Sequence, residues 1–197
     1  MREIRGLLAG AAVPLVSLAD VPAIQEPEET GTTFPGNARL KALYYDSHLS
    51  THVPGDAGPV LTVAEDSGLV VDALDGEPGV MSARFLRPDA IYAERFAEID
   101  RRLRERPGQP RSARFVCAVA VVRDGRVVCE VDGTIEGEIA SAPVGTAGFG
   151  YDPIFYYPPY GRTLAEVTEP EKLQVAHRGV AFRKLARWLR ATQNGER

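Results

Sequence analysis

The residues best placed to do chemistry lie in the run Ala64-Glu65-Asp66-Ser67-Gly68-Leu69, where two carboxylates stand side by side. Val60 to Ala64 reads as a strand, Asp66-Ser67-Gly68 is turn chemistry, and Leu69-Val70-Val71 resumes the strand. At such a break consecutive side chains need not alternate, so Glu65 and Asp66 can both face one site. Confined carboxylates repel, and a cation that takes oxygen ligands, commonly Mg2+, relieves the repulsion. The plain alternative for this stretch is an acidic surface turn.

A second concentration is Gly145-Thr146-Ala147-Gly148-Phe149-Gly150-Tyr151-Asp152-Pro153. Its glycines let backbone approach a ligand closely. Phe149 and Tyr151 offer stacking surfaces, and Asp152 offers an acceptor to a base edge. It is not a P-loop, because no Gly-Lys-Ser/Thr follows. Lys172, His177 and Arg178 gather near the mouth of a helix, where they make an anion or carbonyl-oxygen site. Lys41 lies one helical turn after Asn37, either on a solvated face or in a functional role. Arg84 suits a phosphate clamp or a surface ion pair.

The elements that must position these groups can be read from periodicity and turn chemistry. Helices are expected over Met1 to Ala9, Asn37 to about Ser47 (Leu40 and Leu43 on one side), and Asp89, as N-cap, to about Arg106. In the last of these Phe96, Ile99 and Leu103 form a core stripe. Another helix starts at Glu169-Pro170-Glu171-Lys172, and a final one reaches about Thr192 with Phe182, Leu185, Trp188 and Leu189 apolar. Strands are expected over Ala12 to Leu18 and Arg114 to Val122. A hairpin at Asp124-Gly125 leads to a return strand over Arg126 to Asp132, and a third, bent strand covers Gly133 to Ile139. Loops fill Gln25 to Thr30, which is acidic, and His48 to Pro59; the tail Asn194 to Arg197 is expected to fray.

Bulk properties narrow the function classes. The 197 residues suit a single domain over 1–197, with room for a second lobe. A net charge of -4 supplies no basic field for a nucleic-acid polymer, though a single nucleotide remains compatible. Cys117 and Cys129 sit in apolar runs and read as buried free thiols. Three His with no Cys/His cluster argue against zinc. No apolar run approaches the ~18 residues of a membrane span, and no signal peptide is visible, so a cytosolic chain is expected.

Taken together, these residues resemble the inosine/xanthosine triphosphate pyrophosphatases. The matching pieces are Gly31-Thr32-Thr33-Phe34 with Asn37 and Lys41-Ala42, Ala64 to Leu69, and Pro78-Gly79 with Ser82-Ala83-Arg84. Further on come Arg114-Phe115 with Cys117, Gly148 to Phe155, Ala165-Glu166, and Lys172 with His177-Arg178. They occur in the family's order across nearly the whole chain. The resemblance implies an α/β fold: an elongated, bent mixed central sheet with flanking helices forming two lobes around a nucleotide cleft. It also implies a homodimer and Mg2+-dependent hydrolysis of inosine, deoxyinosine and xanthosine triphosphates to the monophosphate and pyrophosphate. By position, Asp66 matches the metal-bound general base, with Glu65 assisting at the metal and Ser67 touching substrate. Phe149, Gly150, Tyr151 and Asp152 would stack and frame the base, Lys172, His177 and Arg178 would contact base and phosphate, and Lys41 would face the triphosphate.

Two departures accompany the resemblance. The family opens with a buried strand and a Thr/Ser-x-x-Asn-x-x-Lys loop that grips the triphosphate. This sequence begins at Met1-Arg2-Glu3-Ile4, inside the helix that follows, so that strand, Asn and Lys are expected to be missing and the sheet position to need another cover. Gly36 stands where the family has a metal-binding Glu, a loss for which the long side chain of Glu65 could partly compensate. The expectation is therefore a pyrophosphatase, of full or reduced activity. The alternative is an impaired, nucleotide-binding or structural dimeric relative.

Overall fold

The strand β2 (Ser112–Arg123) shows how the sequence builds the sheet. Its first half alternates buried and half-buried residues, and from Cys117 to Val122 every side chain is buried. A continuous apolar run of this kind belongs to a strand covered on both faces. In the computed structural model, which describes residues 2–8, 11, 13–21, 23–49, 60–193 and 195, β2 is the second strand of a five-stranded antiparallel sheet. Its strands follow chain order: β1 (Thr62–Val71), β2, β3 (Arg126–Ile139), β4 (Phe155–Tyr157) and β5 (Arg162–Thr163). Ile139 stands opposite Phe155, and Tyr156 opposite Thr163. Among the described residues of this α/β chain there are five α-helices: α1 (Arg2–Leu8), α2 (Phe34–Leu49), α3 (Tyr92–Arg104), α4 (Glu169–Val175) and α5 (His177–Gln193). Among the described residues no helix is long and apolar enough to cross a membrane.

The chain divides into two compact units. The first comprises Met1–Asp66, Cys117–Gly133 and Arg178–Arg197, and the second Ser67–Val116 and Thr134–His177. The first has a core of Leu8, Cys117, Val119, Val121, Phe182 and Leu185. In the second, Leu69, Val71, Ile99, Leu103, Phe115 and Phe155 fill the interior, including the Ile99 and Leu103 stripe of α3.

Several expectations need correction. Residues 13–17 form no strand and lead into a 3-10 turn, Leu18–Asp20, closed by Asp20 accepting from Ser17. Pro14, without an N–H, is a poor ladder residue. Helix α2 begins three residues early, at Phe34, because the Thr33 hydroxyl accepts from Gly36 N and so caps it. Its buried face carries Phe34, Asn37, Ala38, Ala42 and Tyr45, while Leu43 is exposed. Helix α3 is preceded by Ile91, whose N–H donates to the Glu94 carboxylate; Asp89 pairs with Arg87 instead of capping it. The return strand and the bent strand after the Asp124-Gly125 turn are one element, β3. Most of the 48–59 loop and all but one residue of the 194–197 tail lie outside the described residues.

Nor does β1 break at Asp66-Ser67-Gly68: it runs unbroken from Thr62 to Val71. Gly68 is there for close approach. A Cβ on it would lie 2.4 Å from Ser82 Oγ and 2.6 Å from the Gly79 carbonyl oxygen. Gly68→Ala is thus expected to destabilise the fold by about 1–3 kcal/mol, as overpacking does. A lower urea midpoint at unchanged slope is the expected result. An unchanged midpoint would mean that the 79–84 turn yields freely.

Candidate active site

Because β1 is continuous, its side chains alternate, and the two neighbouring carboxylates take different partners. Asp66 is buried. Its Oδ1 lies 2.9 Å from Lys41 Nζ, and its Oδ2 accepts from Asn37 Nδ2 at 3.2 Å. Both partners come from α2, where a spacing of four residues puts them on one face. Asn37 is fully buried, and its Oδ1 accepts from Gly31 N at 2.8 Å, which turns its amide donors toward Asp66. The Lys41 ammonium also donates to Glu29 Oε1 at 2.7 Å. Burial lifts the Asp66 carboxyl above its ordinary value, against the bonds from Lys41 and Asn37. Burial likewise opposes the Lys41 charge, but Glu29 and Asp66 outweigh it and hold that ammonium above its ordinary pKa.

Glu65 is clasped by Arg178, with Nε at 3.0 Å and Nη2 at 2.6 Å from its two oxygens. It also accepts from the Cys117 thiol at 3.1 Å, and burial followed by the Glu65 charge pushes that thiol's pKa far up. The expectation that Glu65 and Asp66 converge on one site through a turn is replaced by this alternation. The carboxylate that does join Asp66 on a common cation is Glu29. It lies in the acidic Gln25 to Thr30 loop, where no spacing or periodicity distinguishes it from Glu26 or Glu28.

The second unit holds the aromatic loop. Asp152, buried, accepts from Phe149 N at 2.8 Å and from Lys172 Nζ at 2.5 Å. Lys172 is buried on α4, which Thr168 and Glu171 cap reciprocally, and its Nζ lies 4.5 Å from the Phe149 ring centroid. Gly148 has a φ of 76°, and a Cβ there would lie 2.1 Å from Asp152 Oδ2, so this position needs glycine on both counts. Phe149 is 55% exposed, so one face of its ring is open to a stacking partner.

Tyr151, one residue after Gly150 in the same loop, is 3% exposed. Its ring packs in the core and its hydroxyl donates to the Ser82 carbonyl at 2.8 Å, so it anchors the loop from behind instead of presenting a stacking face. Ser67 follows Asp66 on β1 and is half-buried. Lys172, His177 and Arg178 each have a partner of their own. Lys172 serves Asp152, the His177 ring stacks on Phe115 at 4.9 Å and 17°, and Arg178 binds Glu65.

Among the described residues no group of three or more His, Cys, Asp or Glu is gathered to hold a metal ion. A hard cation such as Mg2+ asks less of the protein: one or two carboxylates suffice when water and phosphate oxygens complete its shell. Asp66 and Glu29, two oxygen donors already sharing one positive charge, have the chemistry for that.

A model of the Ham1 family matches residues 1–188. A dITP/XTP pyrophosphatase of Halalkalibacterium halodurans is 41% identical over 187 residues, covering 95% of this chain and 92% of that protein. One of Geobacillus kaustophilus is 45% identical over 185 residues, covering 94% and 86%. Among solved structures, a HAM1 protein from Coxiella burnetii superposes with a TM-score of 0.82 at 36% identity, covering 95% of this chain and 91% of that one.

Proposed function

The chain belongs to the Ham1 family, and we propose that it hydrolyses deaminated purine nucleoside triphosphates to the monophosphate and pyrophosphate. Its substrates on this reading are inosine, deoxyinosine and xanthosine triphosphates. The observation that carries the proposal is the buried Asp66 carboxylate, held by Asn37 and Lys41. A carboxylate oriented by two fixed donors is suited to take a proton from an attacking water.

Mg2+ is part of the proposal. Asp66 and Glu29 would hold it, and when bound it supplies positive charge to the phosphate oxygens. Lys41, bonded to both carboxylates, adds an ammonium for the triphosphate. Arg178, kept in place by Glu65, contributes a planar cation toward phosphate or base, with Glu65 as its orienter. Ser67, next along β1 from Asp66, is assigned to substrate contact.

Base selection falls to the loop of the second unit. Phe149 gives a stacking face, and Gly150 lets backbone come close. Lys172 retains donors beyond the one bonded to Asp152, and His177 adds another near the start of α5. A 6-keto purine offers these donors an acceptor, whereas the 6-amino group of adenine would leave them unmatched. A homodimer in the cytoplasm, where the nucleotide pool lies, completes the reading.

The experiment is pyrophosphate release over inosine, xanthosine, guanosine and adenosine triphosphates with and without Mg2+. Metal-dependent turnover of the first two is expected, with kcat/KM for adenosine triphosphate lower by about a hundredfold or more, the loss that follows when buried donors go unpaired. Thermal stabilisation by inosine triphosphate without turnover would point instead to the nucleotide-binding relative. Equal rates on all four would remove the base-selecting role of the loop.

A further inference from the structure

Arg95 is a cation in an unusual position. It lies on α3 with 3% of its surface exposed, and burying a guanidinium is costly unless it is paired. Among the described residues no carboxylate pairs with it, and Glu94 beside it gives its carboxylate to Arg87. Its buried Nε has no hydrogen-bond partner there. Arg95 does touch backbone and ring. Nη1 donates to the Ser82 carbonyl at 3.4 Å and Nη2 to the Pro88 carbonyl at 3.5 Å, while the guanidinium carbon lies 4.8 Å from the Tyr92 ring centroid.

Two of these contacts lead to the same place. The Ser82 carbonyl also accepts from the Tyr151 hydroxyl, at 2.8 Å, and the Tyr92 ring stands edge-on to Tyr151 at 5.3 Å and 90°. Tyr151 is the core anchor of the loop that carries Phe149 and Asp152. Ser82 is itself pinned, because its hydroxyl accepts from Leu69 N at 2.9 Å and donates to the Gly79 carbonyl at 2.6 Å. An apolar side chain at position 95 would avoid the desolvation cost. A planar guanidinium can bond a carbonyl through its edge while its face lies on a ring, which a Lys ammonium cannot.

We propose that Arg95 is a positioning residue for the 149–152 loop. By holding the Ser82 carbonyl and the Tyr92 ring it fixes Tyr151, and through Tyr151 the placement of Phe149 and Asp152. It touches no substrate. Its effect on nucleotide binding rests on the function proposed above; its effect on the loop does not.

The test compares the full chain with Arg95→Met and Arg95→Lys by deuterium uptake and by steady-state kinetics. In Arg95→Met the uptake rate of peptides spanning 148–154 is expected to rise about tenfold, with peptides from α5 unchanged. KM for inosine triphosphate should rise about tenfold with kcat within about twofold, because the reacting groups on β1 and α2 are untouched. Arg95→Lys, which restores charge without the planar fork, should recover part of both effects. Unchanged uptake over 148–154 overturns the proposal. So does a rise shared equally by α5, which marks general destabilisation, or a fall in kcat with KM unmoved. If the unsubstituted chain turns over no deaminated purine triphosphate, the proposed function falls, and the uptake measurement still decides whether Arg95 holds the loop.

Discussion

Asp66→Asn is expected to lower kcat for inosine triphosphate by about a thousandfold, within the range that loss of a general base produces. The substitution keeps the size of the side chain and one carbonyl oxygen, so Lys41 retains an acceptor on it as well as Glu29. It removes the only atom pair on β1 that is both buried and able to take a proton between Asn37 and Lys41. The variant should fold. Burial raises the Asp66 carboxyl above its ordinary value. A group raised in the folded state contributes stability that is present below its unfolded pKa and lost as pH climbs through the folded one. At neutral pH the ionised carboxylate therefore weighs against folding, while the new amide leaves the Asn37 donor without its acceptor; the two effects oppose, and the melting temperature of Asp66→Asn is expected to stay within a few degrees of the parent. A thousandfold loss at near-parental stability assigns the effect to chemistry. Equal rates in both proteins would remove Asp66 from the role of base.

The second large effect is expected from Lys172→Met. The side chains of Lys172 and Asp152 are only 10% and 4% exposed, so removing the ammonium strands a carboxylate away from water. Breaking a buried pair from one side costs about 3–5 kcal/mol, which in a chain of this size lowers the melting temperature by roughly 10 °C. The same substitution removes the cation beside the Phe149 ring and a donor for a keto oxygen, so KM for inosine triphosphate should rise as well. A double variant, Asp152→Asn with Lys172→Met, separates the two consequences. It no longer strands a charge, so stability should largely return while base binding stays weak. If Lys172→Met melts within a degree or two of the parent, the pair is not the buried anchor described above.

Those two sites were legible in the sequence to different depths. Asp66, Phe149 and Asp152 come forward as candidates by residue type, Lys41 and Lys172 chiefly through the resemblance, and the hairpin around Asp124-Gly125 and the Ile99–Leu103 stripe by turn chemistry and period. What the sequence hides is direction. Asp66-Ser67-Gly68 has the composition of a turn, yet β1 passes straight through it, because Gly68 answers to the crowding of Ser82 and Gly79 and not to a bend. That continuity sends Glu65 to Arg178 and Asp66 to Lys41. Glu29 is hidden for a different reason: its partner lies twelve residues away on α2, and an irregular acidic loop carries no periodicity to reveal it. Tyr151 looks like a base-stacking residue by its neighbours, and only packing shows that its ring faces the core.

The proposed reaction cleaves between the α- and β-phosphates of a deaminated purine nucleotide with Asp66 as base. The most direct measurement is product analysis by phosphorus NMR of inosine triphosphate turned over with Mg2+ by the unsubstituted chain and by Asp66→Asn. Inosine monophosphate and pyrophosphate in equal amounts are expected from the first, and almost none from the second. Inosine diphosphate with inorganic phosphate, or the same products at the same rate from both proteins, would contradict the proposed reaction.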